Sequence, residues 1–300
     1  MKYEYASQTD IGLVRSNNED AYLIDPDLNL FIVADGMGGY DKGEVASQMT
    51  CIGIAEHLRD IAKESSVISK NHLLDSIQKT NDAIRKKIRE TENLEKMGST
   101  VVSLLIRQDK LLILNVGDSR AYRLRNKKLQ QISVDHSLVE EIRAANIKKE
   151  FAFQFKNVVT RAMGMKDTVN ADIFSETLQK RDIFLLCSDG LHGFVSDEVI
   201  ENVLVNTQEN SLQTQINELV DKAKKAGGKD NITGILIQIL EIDPTDSSLS
   251  INPQALNETF QIPAYALKIE RDSFFSPLQT KILLTALTLV VFWIVWSFCH

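Results

Sequence analysis

A chain of 300 residues with 43% apolar and 25% charged side chains has the make-up of a globular protein, which excludes wholesale disorder, collagen and a polytopic membrane protein. Its 41 acidic against 34 basic residues leave a formal charge of −7, so no nucleic-acid partner is expected, since that needs a basic surface. Cys51, Cys187 and Cys299 stand far apart with no CxxC pair, so neither a disulfide framework nor a zinc ribbon is indicated and a reducing compartment is expected.

The first residues enter mixed polar sequence with no apolar stretch of the kind a secretory leader needs. Strand-like runs then follow at Ala21–Ile24 and Leu28–Ala34. Two helical patterns come next. One covers Glu44–Ile61, and the second carries Leu73, Leu74, Ile77, Ile84 and Ile88 at helical spacing with Lys and Arg between them. Further strands are predicted at Thr100–Ile106, Lys110–Val116, Ala121–Leu124 and Asp182–Cys187. A second helix pair is predicted at Asp197–Val205, with Ser196 as N-cap, and at Leu212–Ala226, stopped by Gly227 and Gly228; a last strand covers Asn231–Leu240. Strands in consecutive groups with helices inserted as pairs predict antiparallel sheets covered by helices, an α+β fold rather than an alternating parallel one. Residues 1–242 are therefore expected to form one globular unit.

Four of the five prolines fall between Asp243 and Thr280 among Ser, Asn, Gln and Thr, the composition of a linker, assigned to 243–280. From Ile282 to Phe298 no charge occurs and every helical face is apolar, close to the shortest helix that crosses ~30 Å of hydrocarbon. Lys281 before the run and Trp293 and Trp296 near its end suit the two interfaces. A C-terminal transmembrane helix over 281–300 is expected, a single-pass anchor in membrane lipid with the body on the cytoplasmic side.

The acids concentrate where apolar strands end. Phe31–Ala34 runs into Asp35, Gly36, Met37, Gly38 and Gly39; Leu112–Val116 into Gly117 and Asp118; Phe184–Cys187 into Ser188, Asp189 and Gly190. Any one such Asp-Gly is most simply a strand-ending turn. Several together can gather carboxylates at one place, and carboxylates without His or Cys partners select hard cations, Mg²⁺ or Mn²⁺, over zinc. Arg15, four residues before Glu19 and Asp20, offers a planar fork suited to phosphate. Asp230 opens the last strand beside Gly227 and Gly228, but Asp after Lys229 excludes a phosphate-binding loop of the Walker type.

Arg15-x-x-Asn18-Glu19-Asp20, Asp35 to Gly39, Gly98-Ser99-Thr100, Gly117-Asp118-Ser119-Arg120, Thr160 to Gly164, Ser188 to Leu191 and Asp230 to Thr233 occur in one order. This closely resembles the metal-dependent serine/threonine phosphatases of the protein phosphatase 2C (PPM) family, bacterial type, over about residues 3–240. The resemblance implies a four-layer αββα sandwich, two antiparallel β-sheets flanked by helix pairs, with 1–242 as the catalytic domain. It implies two Mn²⁺ or Mg²⁺ ions bridged by Asp35. The Gly36 carbonyl would be on one of them and Asp189 and Asp230 on the other, with Glu19 and Asp20 acting nearby, partly through water. Asp118 with Asp189 would serve a third ion, and Arg15 would hold the substrate phosphate.

The implied activity is hydrolysis of phosphoserine and phosphothreonine in proteins by a metal-activated water. Phosphorylated proteins would be the partners, together with a membrane serine/threonine kinase suggested by the anchor alone. A cysteine route needs Cys-x5-Arg, and the positions six beyond Cys51 and Cys187 hold His57 and Gly193. Met37 stands where many eukaryotic relatives carry the His proposed as general acid, and a thioether donates no proton. Residues Ser137–Lys156, with Phe151, Phe153 and Phe155, correspond to the mobile flap of bacterial members. His136 reads as a structural hydrogen-bonding residue, and His57, His72 and His192 as surface or partly buried side chains. The competing reading is a catalytically inactive phosphoprotein-binding or regulatory membrane module; a small-molecule phosphomonoesterase on the same scaffold is a third.

Overall fold

The alternation of side chains along the apolar strands dictates the layering. In a computed structural model, which describes residues 1–38, 42–65, 67–90, 97–107, 110–144, 158–205 and 211–242, strand β3 (Leu30–Met37) sends Leu30, Ile32 and Ala34 to one side and Phe31 and Val33 to the other. A strand buried on both faces needs a layer on each, so β3 requires a helix layer on one side and a second sheet on the other. Strand β10 (Ile183–Cys187) repeats the arrangement, with Leu185 and Cys187 facing helices and Phe184 and Leu186 facing the opposite sheet.

Three cores result. Between the sheets lie Phe31, Val33, Val102, Leu104, Ile113, Phe184, Leu186, Ile235 and Ile237. Helices α1 (Lys42–Glu64) and α2 (Lys70–Glu90) cover the outer face of one sheet through Ala46, Ile54, Leu58, Leu73, Ile77 and Ile84. The one-turn helix α4 (Asp189–His192), α5 (Asp197–Val205) and α6 (Leu212–Lys225) cover the other; α3 (Leu138–Ala144) buries none of its side chains.

Every ladder between the described strands is antiparallel. The six-stranded sheet runs β2-β3-β5-β6-β9 with the short β4 paired to β3, and the five-stranded sheet runs β1-β11-β10-β7-β8. The remaining strands are β1 (Lys2–Asp10), β2 (Asp20–Asp25), β4 (Gly98–Ser99), β5 (Val101–Arg107), β6 (Lys110–Val116), β7 (Arg120–Arg125), β8 (Lys128–Gln131), β9 (Asp172–Thr177) and β11 (Ile232–Glu241). The expected four-layer αββα sandwich is observed.

Local departures from the sequence reading have physical causes. The strand expected from Leu28 begins at Leu30 because Asn29 adopts a left-handed turn, φ 53°. It also runs on through Asp35 and Gly36 instead of stopping at Ala34, because Gly36 and Met37 pair with Ser99 and Gly98. Leu74, expected on the buried stripe of α2, is exposed, and the stripe is completed by Ser76, Thr80 and Asn81. Strands β1, β8 and β9 were not predicted: each carries polar side chains on an edge, and backbone pairing rather than a run of apolar residues holds it.

The linker 243–280, the transmembrane helix expected over 281–300 and the flap phenylalanines lie outside the described residues. Among the described residues no helix is long and apolar enough to cross a membrane.

Candidate metal centre

The chain reversals of the two sheets meet at one end of the sandwich. β3 and β6 both run toward it, β10 ends there and β11 starts there, so the residues at these termini converge although they are distant in sequence. The link Gly117–Asp118–Ser119 crosses from the six-stranded to the five-stranded sheet, turning at Gly117, φ 108°, where a Cβ would stand 2.6 Å from the Thr100 side chain. A cleft of about 740 Å³ opens at this end, and Arg15, Glu19, Asp35, Gly36, Asp118, Asp189 and Asp230 all line it. Asp20 lies beneath, directly opposite Asp35 in the β2–β3 ladder.

Glycines set the closeness of this packing. A Cβ on Gly36 would come within 2.0 Å of the Gly43 carbonyl oxygen at the start of α1, and one on Gly190 within 1.9 Å of the Asn231 carbonyl oxygen. The Glu19 carbonyl accepts the Gly36 N–H at 3.1 Å and the Ser47 hydroxyl at 2.6 Å, tying β2, β3 and α1 together beneath the site.

Hydrogen bonds aim the acids. Thr100 Oγ1 accepts the Asp35 N–H at 3.1 Å and pairs with Ser119 Oγ at 2.7 Å, so the strand end carrying Asp35 and the link carrying Asp118 share one anchor. Ser188 Oγ donates to Asp20 Oδ2 at 2.7 Å and accepts the Thr233 N–H at 3.1 Å. Asn231 Oδ1 accepts the Glu19 N–H at 2.8 Å, while its Nδ2 donates to the carbonyls of Ile11 and Asn17 at 3.0 and 2.9 Å, fixing both ends of the loop that bears Arg15.

Two histidines hold the Asp118 turn through its backbone. His136 Nδ1 accepts the Gly117 N–H at 3.1 Å and its Nε2–H points to Asp172 Oδ2 at 3.1 Å. His192, kept neutral by burial and by Arg120 with its pKa down at about 4, donates Nε2–H to the Asp118 carbonyl at 3.0 Å. His136 is structural as expected, and His57, His72 and His192 are partly buried as expected, His57 Nδ1 meeting the Gly53 carbonyl and His72 Nδ1 accepting the Ser69 N–H.

The electrostatics are those of crowded acids. Burial pushes the carboxyls of Asp20 and Asp118 up to about 7 and that of Asp189 to about 6; Asp35 rises well above the usual range through burial and the charges of Asp20, Asp189, Asp118 and Asp230. Asp20 Oδ1 is buried without a hydrogen-bond partner. Arg15, expected to hold a phosphate, pairs here with Asp230 at 2.8 Å. No three acids, histidines or cysteines among the described residues close on a single point; the carboxylates stand around the walls.

This donor set fits hard divalent cations. It is all oxygen, it is buried beyond its share of counter-charge, and one carboxylate oxygen lacks any partner. All eight expected site residues fall in or under the cleft. Thr100, Ser188 and Asn231 were missed as positioning residues, although each stands inside a motif that the sequence reading singled out.

Comparison with known proteins agrees. A family model described as protein phosphatase 2C matches residues 14–234. The serine/threonine phosphatase stp of Listeria monocytogenes is 37% identical over 242 residues, spanning 77% of this chain and 94% of that protein. The serine/threonine protein phosphatase PstP of Mycobacterium tuberculosis is 34% identical, covering 80% of this chain and 45% of the relative. A crystal structure of the Mycobacterium tuberculosis serine/threonine phosphatase PstP/Ppp superposes with a TM-score of 0.71 at 31% identity, over 80% of this chain and 99% of that one. The catalytic domain of PstP in complex with 2 manganese ions does so with a TM-score of 0.69 at 31% identity, again over 80% and 99%.

Proposed function

The chain belongs to the protein phosphatase 2C family and is a metal-dependent serine/threonine protein phosphatase, and from that premise we propose how its own residues hydrolyse the phosphoester. The observation that carries the reading is the convergence of Asp20, Asp35, Asp118 and Asp189 from separate elements on one desolvated cleft, where burial and neighbouring carboxylates raise the pKa of each. Bound Mn²⁺ or Mg²⁺ would supply the missing positive charge, acidify a water and screen the phosphoryl oxygens.

Asp35 and the Gly36 carbonyl would hold one ion, and Asp35, Asp189 and Asp230 the other, with Glu19 and Asp20 behind them and Asp118 beside Asp189 for a third. Arg15, freed from Asp230, would present its fork to two phosphoryl oxygens and orient the ester for in-line attack. Met37 lines the cleft but holds no transferable proton, so it does not protonate the leaving alkoxide.

The test is phosphate release from a phosphothreonine peptide by the full-length chain with Mn²⁺ and with a chelator, beside Asp35→Ala and Asp189→Ala. Turnover only with metal, and lost in both variants, is expected. Turnover intact in both variants overturns the assigned metal ligands; a folded protein with no metal-dependent release is a binding module.

The apolar run 282–298 would tether the catalytic body to the cytoplasmic face of a membrane, beside the substrates of a membrane serine/threonine kinase. The full-length chain should stay in the pellet when membranes are washed with alkaline carbonate, and its appearance in the supernatant overturns the tether. A membrane pull-down that recovers no kinase and no kinase substrate counts against the partner.

A further inference from the structure

The cleft has an acidic floor and an apolar rim. Val14, Val158 and Met165 are 67%, 43% and 49% exposed, and all three line the mouth beside Val159 and Met37. Exposed aliphatic side chains scattered singly need no explanation, but three that line one opening offer apolar surface to whatever enters it.

Each of the three rides on anchored backbone. The N–H of Leu13, next to Val14, donates to the Gly228 carbonyl at 2.7 Å. The Val158 carbonyl accepts the Leu138 N–H at 2.9 Å, and Val159 bridges to Ser137. Met165 follows Gly164, whose N–H donates to Asn81 Oδ1 at 2.7 Å and whose carbonyl accepts from Arg85 at 3.1 Å. The backbone that carries these groups is therefore already ordered before anything docks on them.

Resting on the phosphatase reading above, we propose that Val14, Val158 and Met165 form an apolar subsite that receives an aliphatic side chain flanking the phosphorylated residue of a protein substrate. The occupant follows from continuity: the rim borders the acids and Arg15, so whatever touches it is covalently joined to the phosphorylated residue seated below. The neighbouring charges also select. Arg15 is the one cation in the described lining and would be engaged by the substrate phosphate, while Glu19, Asp35, Asp118, Asp189 and Asp230 supply negative charge. Among the described lining residues an acidic flanking residue meets only carboxylates besides Arg15, whereas an aliphatic one gains by leaving water.

The experiment compares two phosphothreonine peptides that differ only at the residues on either side of the phosphothreonine, leucine in one and serine in the other. The full-length chain hydrolyses them with Mn²⁺, alongside p-nitrophenyl phosphate, which has no flanking residues. The leucine peptide should show a kcat/KM about tenfold higher, or about 1.4 kcal/mol, expressed chiefly in KM. In the double variant Met165→Ser, Val158→Ser that ratio should fall to about twofold. Because the ratio is taken within each protein, any loss common to both peptides cancels. Equal kcat/KM in the unsubstituted chain, or a tenfold ratio surviving both the double variant and Val14→Ser, overturns the subsite and leaves the phosphatase reading intact. No Mn²⁺-dependent turnover of any of the three substrates overturns both.

Discussion

The guanidinium of Arg15 lies 2.8 Å from both carboxylate oxygens of Asp230, joining positions 215 residues apart across the mouth of the metal centre. In the function proposed above Asp230 would serve a cation and Arg15 a phosphate, so the ion pair would be a resting arrangement that loading of the site exchanges for two others. Both side chains are partly exposed, and the pair adds little to stability.

Replacing Arg15 by Ala should therefore separate binding from folding. Thermal unfolding should be almost unchanged, by less than about 1 kcal/mol. Loss of a charge-assisted contact to the phosphate should lower kcat/KM on a phosphopeptide by about 10- to 100-fold. Steady-state kinetics and a melting curve on the same preparation check both halves, and a large drop in stability would place Arg15 in the fold rather than the site.

The stability of the metal-free protein should fall as pH rises. Asp20, Asp118 and Asp189 have folded-state pKa values of about 7, 7 and 6 against an ordinary value of 3.8, and Asp35 is raised as well. Folding thus retains protons that the unfolded chain has already released. The contribution is fully present below the unfolded value and is lost as pH rises through the folded values, between about pH 4 and 7. Mn²⁺ compensates the same charges, so the gap between melting temperatures with Mn²⁺ and with chelator should widen from pH 5 to pH 8. A gap that narrows over that range would contradict the acid cluster as the cation site.

Gly190→Ala should destabilise strongly, since the new methyl would stand 1.9 Å from the Asn231 carbonyl oxygen and neither backbone segment can retreat without moving an acid. Overpacking of this kind costs about 3 kcal/mol. Urea denaturation gives the loss, and Mn²⁺ affinity by calorimetry should fall with it because Asp189 and Asp230 flank the contact.

Asn231→Ala leaves one buried donor and two carbonyls without their partner, at the Glu19 N–H and the carbonyls of Ile11 and Asn17. A loss of about 2 kcal/mol is expected. The Arg15 loop should also loosen, so amide exchange over residues 11–19 should quicken while β10 stays protected. Unchanged exchange there would mean that other contacts hold the loop.

Much of this protein is legible without coordinates, for a definite reason. Strands buried on both faces appear as nearly continuous apolar runs, so β3, β5, β6, β10 and β11 were readable, as were helix pairs with a strong apolar stripe. Acids at the ends of such runs, in a fixed order with glycines, identified the family and the residues that the fold gathers in and under the cleft. By contrast β1 has one buried apolar side chain, Ala6, and is held by its ladder to β11, a contact between the two ends of the domain that local sequence does not encode.

Tertiary structure alone decided how the acids meet. Their common location follows from which strand ends point the same way in two face-to-face sheets, and their suppressed ionisation follows from burial beside one another. The pairing of Arg15 with Asp230, the clamp of Asn231 on the Arg15 loop and the apolar rim around the cleft belong to the same class. Each joins groups whose separation along the chain carries no trace of their separation in space, because a packed interior, not local propensity, brings them together.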